Sequence, residues 1–247
     1  MKQKKTVHLS VDDTIWLFWD LSENNYKSAF EQPILKFFKS LNEKYGFVVS
    51  FYCFMEQDWL SLKSITDRYK HEFEQNNNWC KFGFHAYNEH RRYATDEYKS
   101  VKDDYSIVTC ELRRIVGNSI DNLCRFHCYS MRNDICKEFN KSGLKAILGP
   151  ECGAEFDLSL SKEKMIKLKK NGKYKGIFDK ITYIATDLRF ETCECITKEL
   201  FVIDNKDHLE LYTHEWALKD GNVQEKMIIC SEMLKQLGYI GGFYNVG

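Results

Sequence analysis

Apolar residues along the 247-residue chain fall alternately into short runs rich in Val, Ile, Phe and Tyr and longer runs with helical spacing. The short runs predict strands over 6–11, 47–54, 81–85, 123–127, 145–149, 180–185 and 209–214. Recurrence at three and four residues predicts helices between them, over 28–44, 58–75, about 96–116, 131–142, 161–170 and 222–237. Gly46, after LNEKY, and Gly143, after KEFNKS, stand where a helix C-terminus hands over to the next strand. Alternating strands and helices imply parallel pairing through crossover helices. About seven such units exceed what a two-layer sheet needs, so the expected fold is α/β, a distorted or incomplete (β/α) barrel of parallel strands. With only two prolines and no linker-like or low-complexity tract, residues 1–247 are expected to form a single domain.

Composition narrows the partners. Hydrophobic residues make up 43% of the chain and aromatics 15%, enough to fill a sizeable core. Lys plus Arg equal Asp plus Glu at 36 each, so the basic footprint of a nucleic-acid binder is missing and no nucleic-acid partner is expected. No window is long and apolar enough for membrane insertion, and the start MKQKKTVHLSV lacks the apolar segment of a secretion signal, which makes a cytoplasmic location the expectation. The ten cysteines lie in apolar or aromatic runs such as SFYCF and KMIIC and form no CxxC pair, so they read as reduced thiols. The bunches CRFHC and CEC lack the paired spacing of structural zinc sites.

Barrel active sites gather at the C-terminal ends of the strands. The polar residues expected there are Asp12 and Asp13 in VHLSVDDTIW, His85, Arg125 and His127, Asp157, Asp187 and His214. Metal ligands and acid–base catalysts come from these residue types. Each has an ordinary reading too: helix caps for the acid pair and Asp157, a hydrogen-bonded core histidine for His85, an ion pair for Arg125, and a surface turn with a packing Trp216 for THEW. Neighbouring strand side chains point to opposite faces, so Asp12 and Asp13 belong where the strand stops. Trp16, Trp19, Phe84, Tyr87, Tyr129 and Trp216 are candidates for stacking against a sugar ring, or else core packing.

Five segments in order resemble the motifs of the NodB-homology polysaccharide deacetylases, the carbohydrate esterase family 4 superfamily. SVDDT is similar to the TFDDG-like first motif, FGFHAYNEH to H-[ST]-x-x-H, CRFHCYS to R-x-P-Y, FDLSL to the segment of the fourth motif's Asp, and LYTHEW to L-x-H. The resemblance covers residues 7–216 and implies a distorted barrel that uses one divalent metal ion to deacetylate a carbohydrate. It implies Asp12 as general base, oriented by Arg125, and His214 as general acid, supported by Asp157. Asp13 and His85 would be metal ligands, with a third from the HAYNEH segment. The family separates its two histidines by four residues, whereas His85 and His90 are five apart, so the third ligand is His90 or, at the four-residue step, Glu89. His127 stands where the third motif has proline and Thr14 where the first has glycine. Tyr129, Trp216, Asp187 and His127 are then candidates for substrate contact.

Zinc is the first choice of metal, with cobalt, nickel or manganese as alternatives, since an open His-rich site with a carboxylate polarises an amide carbonyl and acidifies water. The expected partner is a carbohydrate or another acetylated small molecule. Two other classes stay open: a related metal-dependent hydrolase on a non-acetyl substrate, and a barrel that binds carbohydrate without catalysis. ATDLRFE (185–191) matches none of the motifs; Asp187, Arg189 and Glu191 read either as a substrate rim, with Asp187 nearest the site, or as a surface ion-pair cluster.

Overall fold

The computed structural model describes residues 4–151, 160–177 and 180–244. Its main strands are β1 (Thr6–Thr14), β2 (Val48–Phe54), β3 (Cys80–Ala86), β4 (Leu123–Cys124), β5 (Ala146–Glu151), β6 (Thr182–Thr186) and β7 (His208–His214). They pair in parallel as two arcs, β7–β1–β2–β3 and β4–β5–β6. A parallel bridge between Phe82 and Ile120 joins the arcs on one side. On the other, the chain leaving β6 turns at Asp187, and Leu188–Arg189 pair with β7. The strands therefore close on themselves as a distorted barrel, in the α/β class the sequence predicts.

The latch at that turn explains Asp187. Its N–H donates to the Glu210 carbonyl at 2.8 Å, its Oδ2 accepts the Glu210 N–H at 2.8 Å, and its other oxygen pairs with Lys206. Asp187 is thus committed to barrel closure, which corrects its assignment as a substrate contact.

The helices are α1 (Trp16–Glu23), α2 (Pro33–Tyr45), α3 (Lys70–Gln75), α4 (Tyr98–Val116), α5 (Cys136–Lys141), α6 (Lys162–Asn171), α7 (Ile196–Ile203) and α8 (Gly221–Gln236). The helix expected over 58–75 is instead a hairpin of Glu56–Gln57 with Leu60–Ser61, a short 3₁₀ turn and α3. Leu60, Leu62, Ile65 and Tyr69 have helix-like spacing because a loop lays them successively on the core. The start of the helix expected at 28 moves to Pro33, whose fixed φ suits a first turn. No start signal marks α1 or α7, which follow Ile15 and Cys195 and carry no side-chain cap of their own. No helix among the described residues is long and apolar enough to cross a membrane.

Every residue of β2 is buried, as in a strand covered on both sides. On β1, Val7, Leu9 and Val11 join the hydrophobic core under the helices, while the alternate positions His8, Ser10 and Asp12 meet other polar groups inside the barrel. Gly83, opposite Tyr52 on β2, lets these walls approach: a Cβ there would lie 2.8 Å from the Tyr52 ring and 2.9 Å from the Leu123 carbonyl oxygen. Gly83→Ala should therefore overpack the barrel and lower unfolding free energy by roughly 1–3 kcal/mol, read from urea denaturation.

Candidate metal and acid–base site

The acid pair sits on a bulge. Pairing of β1 with β2 loses register between Val11 and Thr14, and Asp13 takes a left-handed backbone with φ 58°. A bulge breaks the alternation of faces. Asp12, in step with His8 and Ser10, enters the barrel interior, buried opposite His214, and the bulge brings Asp13 to the mouth as well.

Arg125 is buried beneath Asp12. Its Nε lies 3.1 Å from Asp12 Oδ1, an ion pair that lacks hydrogen-bond alignment. The same guanidinium donates to Gly149 O at 2.9 Å, Thr186 Oγ1 at 2.7 Å and Ser10 Oγ at 3.0 Å, and stands 3.6 Å from Glu210 Oε1. Burial pushes the Asp12 carboxyl above the usual range, with Arg125 opposing. Glu210 continues the network to His8 at 2.8 Å. Burial would raise its carboxyl, but the charges of His8 and Arg125 and the bond to His208 hold it at about 2.

Three donor atoms converge above. His85 Nε2 lies 3.1 Å from Asp13 Oδ1, His127 Nδ1 lies 3.6 Å from the same oxygen, and the two ring nitrogens are 3.3 Å apart. Phe54 packs edge-on to both imidazoles, and Cys128 and Tyr129, each with φ 53°, turn the chain sharply just after His127. His85 Nδ1 meets the Arg125 carbonyl oxygen at 2.5 Å, which it can do only as a donor. That bond orients the ring so that Nε2 faces the Asp13 carboxylate and the His127 ring nitrogen, three atoms that together can act as ligands to a cation. A tetrahedral ion bound at about 2.0–2.2 Å places its donors about 3.3–3.6 Å apart; the 3.3 and 3.6 Å separations match that edge and the 3.1 Å one is slightly shorter. Burial would raise the Asp13 carboxyl, but hydrogen bonds to His127 and His85 hold it well below the usual carboxylate range. Burial lowers the His127 ring, with Asp13 pulling the other way.

The third donor is neither of the expected candidates. The His90 side chain is 84% exposed and lies 3.7 Å from Glu89, and Glu89 accepts from Gln57. Both occupy a rim depression with Glu56 and Asp58 because Tyr87, whose N–H is held by the Tyr93 hydroxyl, ends the strand direction that would have carried them inward. His127 joins Asp13 and His85 instead.

His214 stands on the opposite side, its Nε2 4.0 Å from Asp13 Oδ2 and its Nδ1 hydrogen-bonded to Glu191. Burial alone would lower this imidazole, but Glu191, with Asp12 and Asp13 nearby, raises it above the ordinary histidine value. Asp157, expected in that supporting role, lies outside the described residues. Glu191 follows the Leu188–Arg189 strand and also pairs with Arg189 at 3.2 Å. Trp216 stacks on His214 and donates from Nε1 to Asp13 Oδ2 at 3.3 Å. Tyr129 closes another side, its hydroxyl 2.5 Å from that of Tyr212, which donates to Glu151 and lies under the Arg125 guanidinium. Phe84 is a core residue packed on Phe126. Glu191 and Glu151 were within reach of the strand-end rule, the first in LRFE and the second at the end of AILGPE; no comparable signal marks Tyr212.

No protein-family model matches the chain, and no curated protein sequence matches it. Solved structures do. A Streptococcus mutans CE4 esterase is 10% identical with a TM-score of 0.57, over 97% of this chain and 85% of that one. A family 4 acetyl xylan esterase from Clostridium thermocellum, in complex with a cobalt ion, is 13% identical with a TM-score of 0.52, over 96% and 87%. A 4-alpha-glucanotransferase from Thermococcus litoralis is 12% identical with a TM-score of 0.58, and this chain spans 40% of that enzyme's length. The chain therefore shares the fold of the family 4 carbohydrate esterases.

Because Glu191 raises the His214 pKa, the pair stabilises the protein fully below the free imidazole's pKa and loses that contribution as pH rises through the raised one. Glu191→Gln should shift the His214 titration, followed by NMR on metal-free protein, to lower pH; an unmoved titration would remove Glu191 from this role.

Proposed function

We propose that the chain is a divalent-metal-dependent hydrolase that removes acetyl groups from an acetylated carbohydrate. The observation that carries this reading is the triangle of Asp13, His85 and His127 donors, flanked by Asp12 on one side and His214 on the other. The likeness in fold to carbohydrate esterases, one of them bound to cobalt, supports it.

Asp13, His85 and His127 would hold the ion, and two imidazole nitrogens with one carboxylate suit zinc first, then cobalt, nickel or manganese. When bound, such an ion polarises a carbonyl oxygen and makes water acidic near neutral pH. Asp12 receives the proton of the attacking water. Burial raises its basicity, and Arg125, held by four strands, keeps the carboxylate in place without neutralising it. His214 carries a proton secured by Glu191 and passes it to the leaving nitrogen or oxygen, so bond cleavage yields acetate and the freed amine or hydroxyl. Trp216 and Tyr129, at the mouth, offer flat surfaces with polar tips for a sugar ring. Glycosyl transfer suits the site less well, since Asp12 and Asp13 are neighbours on one strand and do not oppose each other across a cleft as glycoside-cleaving carboxylates do.

Protein purified without chelator or metal-affinity resin should contain about one equivalent of a divalent ion by mass spectrometry. The substitutions D13A, H85A and H127A should each abolish that content, whereas H90A should not. Asp12→Asn should keep the ion and lower acetate release from acetylated amino sugars by on the order of 10²–10⁴-fold. Failure to bind zinc, cobalt, nickel or manganese would reject the proposal; bound metal without acetate release would shift it to a non-acetyl substrate.

A further inference from the structure

Glu215 lies between His214 and Trp216 and is only 1% exposed. No cation pairs with it among the described residues. Its Oε2 accepts the N–H groups of Ile15 and Trp16, each at 2.9 Å, and its Oε1 accepts that of Leu17 at 2.6 Å. These are the amide of Ile15, which precedes α1 and has no side-chain acceptor to cap it, and the first two amides of the helix, which begins three residues beyond Asp13. A carboxyl from some 200 residues away therefore supplies the helix's missing cap; burial pushes it up to about 7, with the three amides pulling the other way.

The placement matters because of what α1 follows. Asp13 has a left-handed backbone inside a bulge, a conformation that costs energy in a non-glycine residue and persists only when its surroundings hold it. On one side β1 fixes the bulge through pairing with β2 and β7. On the other, Glu215 is the anchor. The adjoining Trp216 holds Asp13 Oδ2 and so leaves Oδ1 to the two histidines.

We infer that Glu215 is a positioning residue for the candidate metal centre: by gripping the amides of residues 15–17 it fixes the bulge that aims Asp13 at His85 and His127. This rests on the metal-site reading above. It predicts that losing the grip weakens metal binding in molecules that remain folded, because the donor triangle loses one preset corner.

The test is calorimetric titration of zinc into chelator-stripped protein, for wild type, Glu215→Gln and Glu215→Ala, with thermal unfolding and near-ultraviolet circular dichroism to establish the folded fraction. Glutamine keeps one acceptor oxygen and should bind zinc with intermediate affinity. Alanine should weaken it by about 10–100-fold, the range found for outer partners of metal ligands. If alanine prevents folding, the glutamine variant decides. Wild-type binding with both folded variants within about twofold of it would overturn the inference, since a purely structural role lowers the unfolding temperature and leaves affinity per folded molecule unchanged. A wild type that takes up no zinc would instead overturn the metal-site reading itself.

Discussion

A guanidinium sealed from water is the constraint around which this barrel is arranged. Arg125 leaves the end of β4 and meets Ser10 and Asp12 of β1, Gly149 of β5, Thr186 of β6 and Glu210 of β7. A buried charge is tolerated only with compensating charge and hydrogen bonds, and removing one partner of such a pair costs about 3–5 kcal/mol. Each of those strands must therefore keep its register for Arg125 to remain satisfied. The contact also crosses the part of the barrel where the two arcs lack a continuous backbone ladder. Closure there depends on this side chain and on the Asp187 latch.

The same charge shapes the chemistry above it. Burial favours a protonated Asp12 and Arg125 favours an ionised one; the burial wins, so the carboxyl is more basic than a free aspartate but stays oriented. One residue further on, Asp13 is driven in the opposite sense by two imidazoles. A single bulge thus places two adjacent aspartates in opposed environments, one suited to taking a proton and the other to staying ionised as a ligand. The bulge depends in turn on β7, whose last residue supplies His214 and whose continuation supplies Glu215 and Trp216.

Two contacts at the mouth are made by residues from neighbouring strand ends. The ring that meets His85 and Asp13 comes from the segment after β4, where His127 occupies a position expected to hold proline. The carboxylate that pairs with His214 is Glu191, just beyond the Leu188–Arg189 strand. In both cases the side chain enters from a neighbouring strand end, which is possible because all these strands point their C-terminal ends at one mouth.

The sequence by itself determined the alternation of strands and helices, the parallel barrel that follows from it, and the residue types at the strand ends, because periodicity and strand termini are local properties. It placed Asp12, Asp13, His85, Arg125 and His214 at one mouth for the same reason. It pointed to His90 or Glu89 as the third ligand, left Asp187 between a substrate rim and an ion-pair cluster, and carried no helix start in TIWLFWDLSE. Those outcomes depend on contacts between residues distant in the chain. His127 reaches Asp13 only after two left-handed residues turn the backbone, Asp187 is claimed by Glu210 and Lys206, and α1 takes its cap from Glu215. Partners supplied across a barrel leave no periodic trace in the sequence, so only the tertiary structure selects among them.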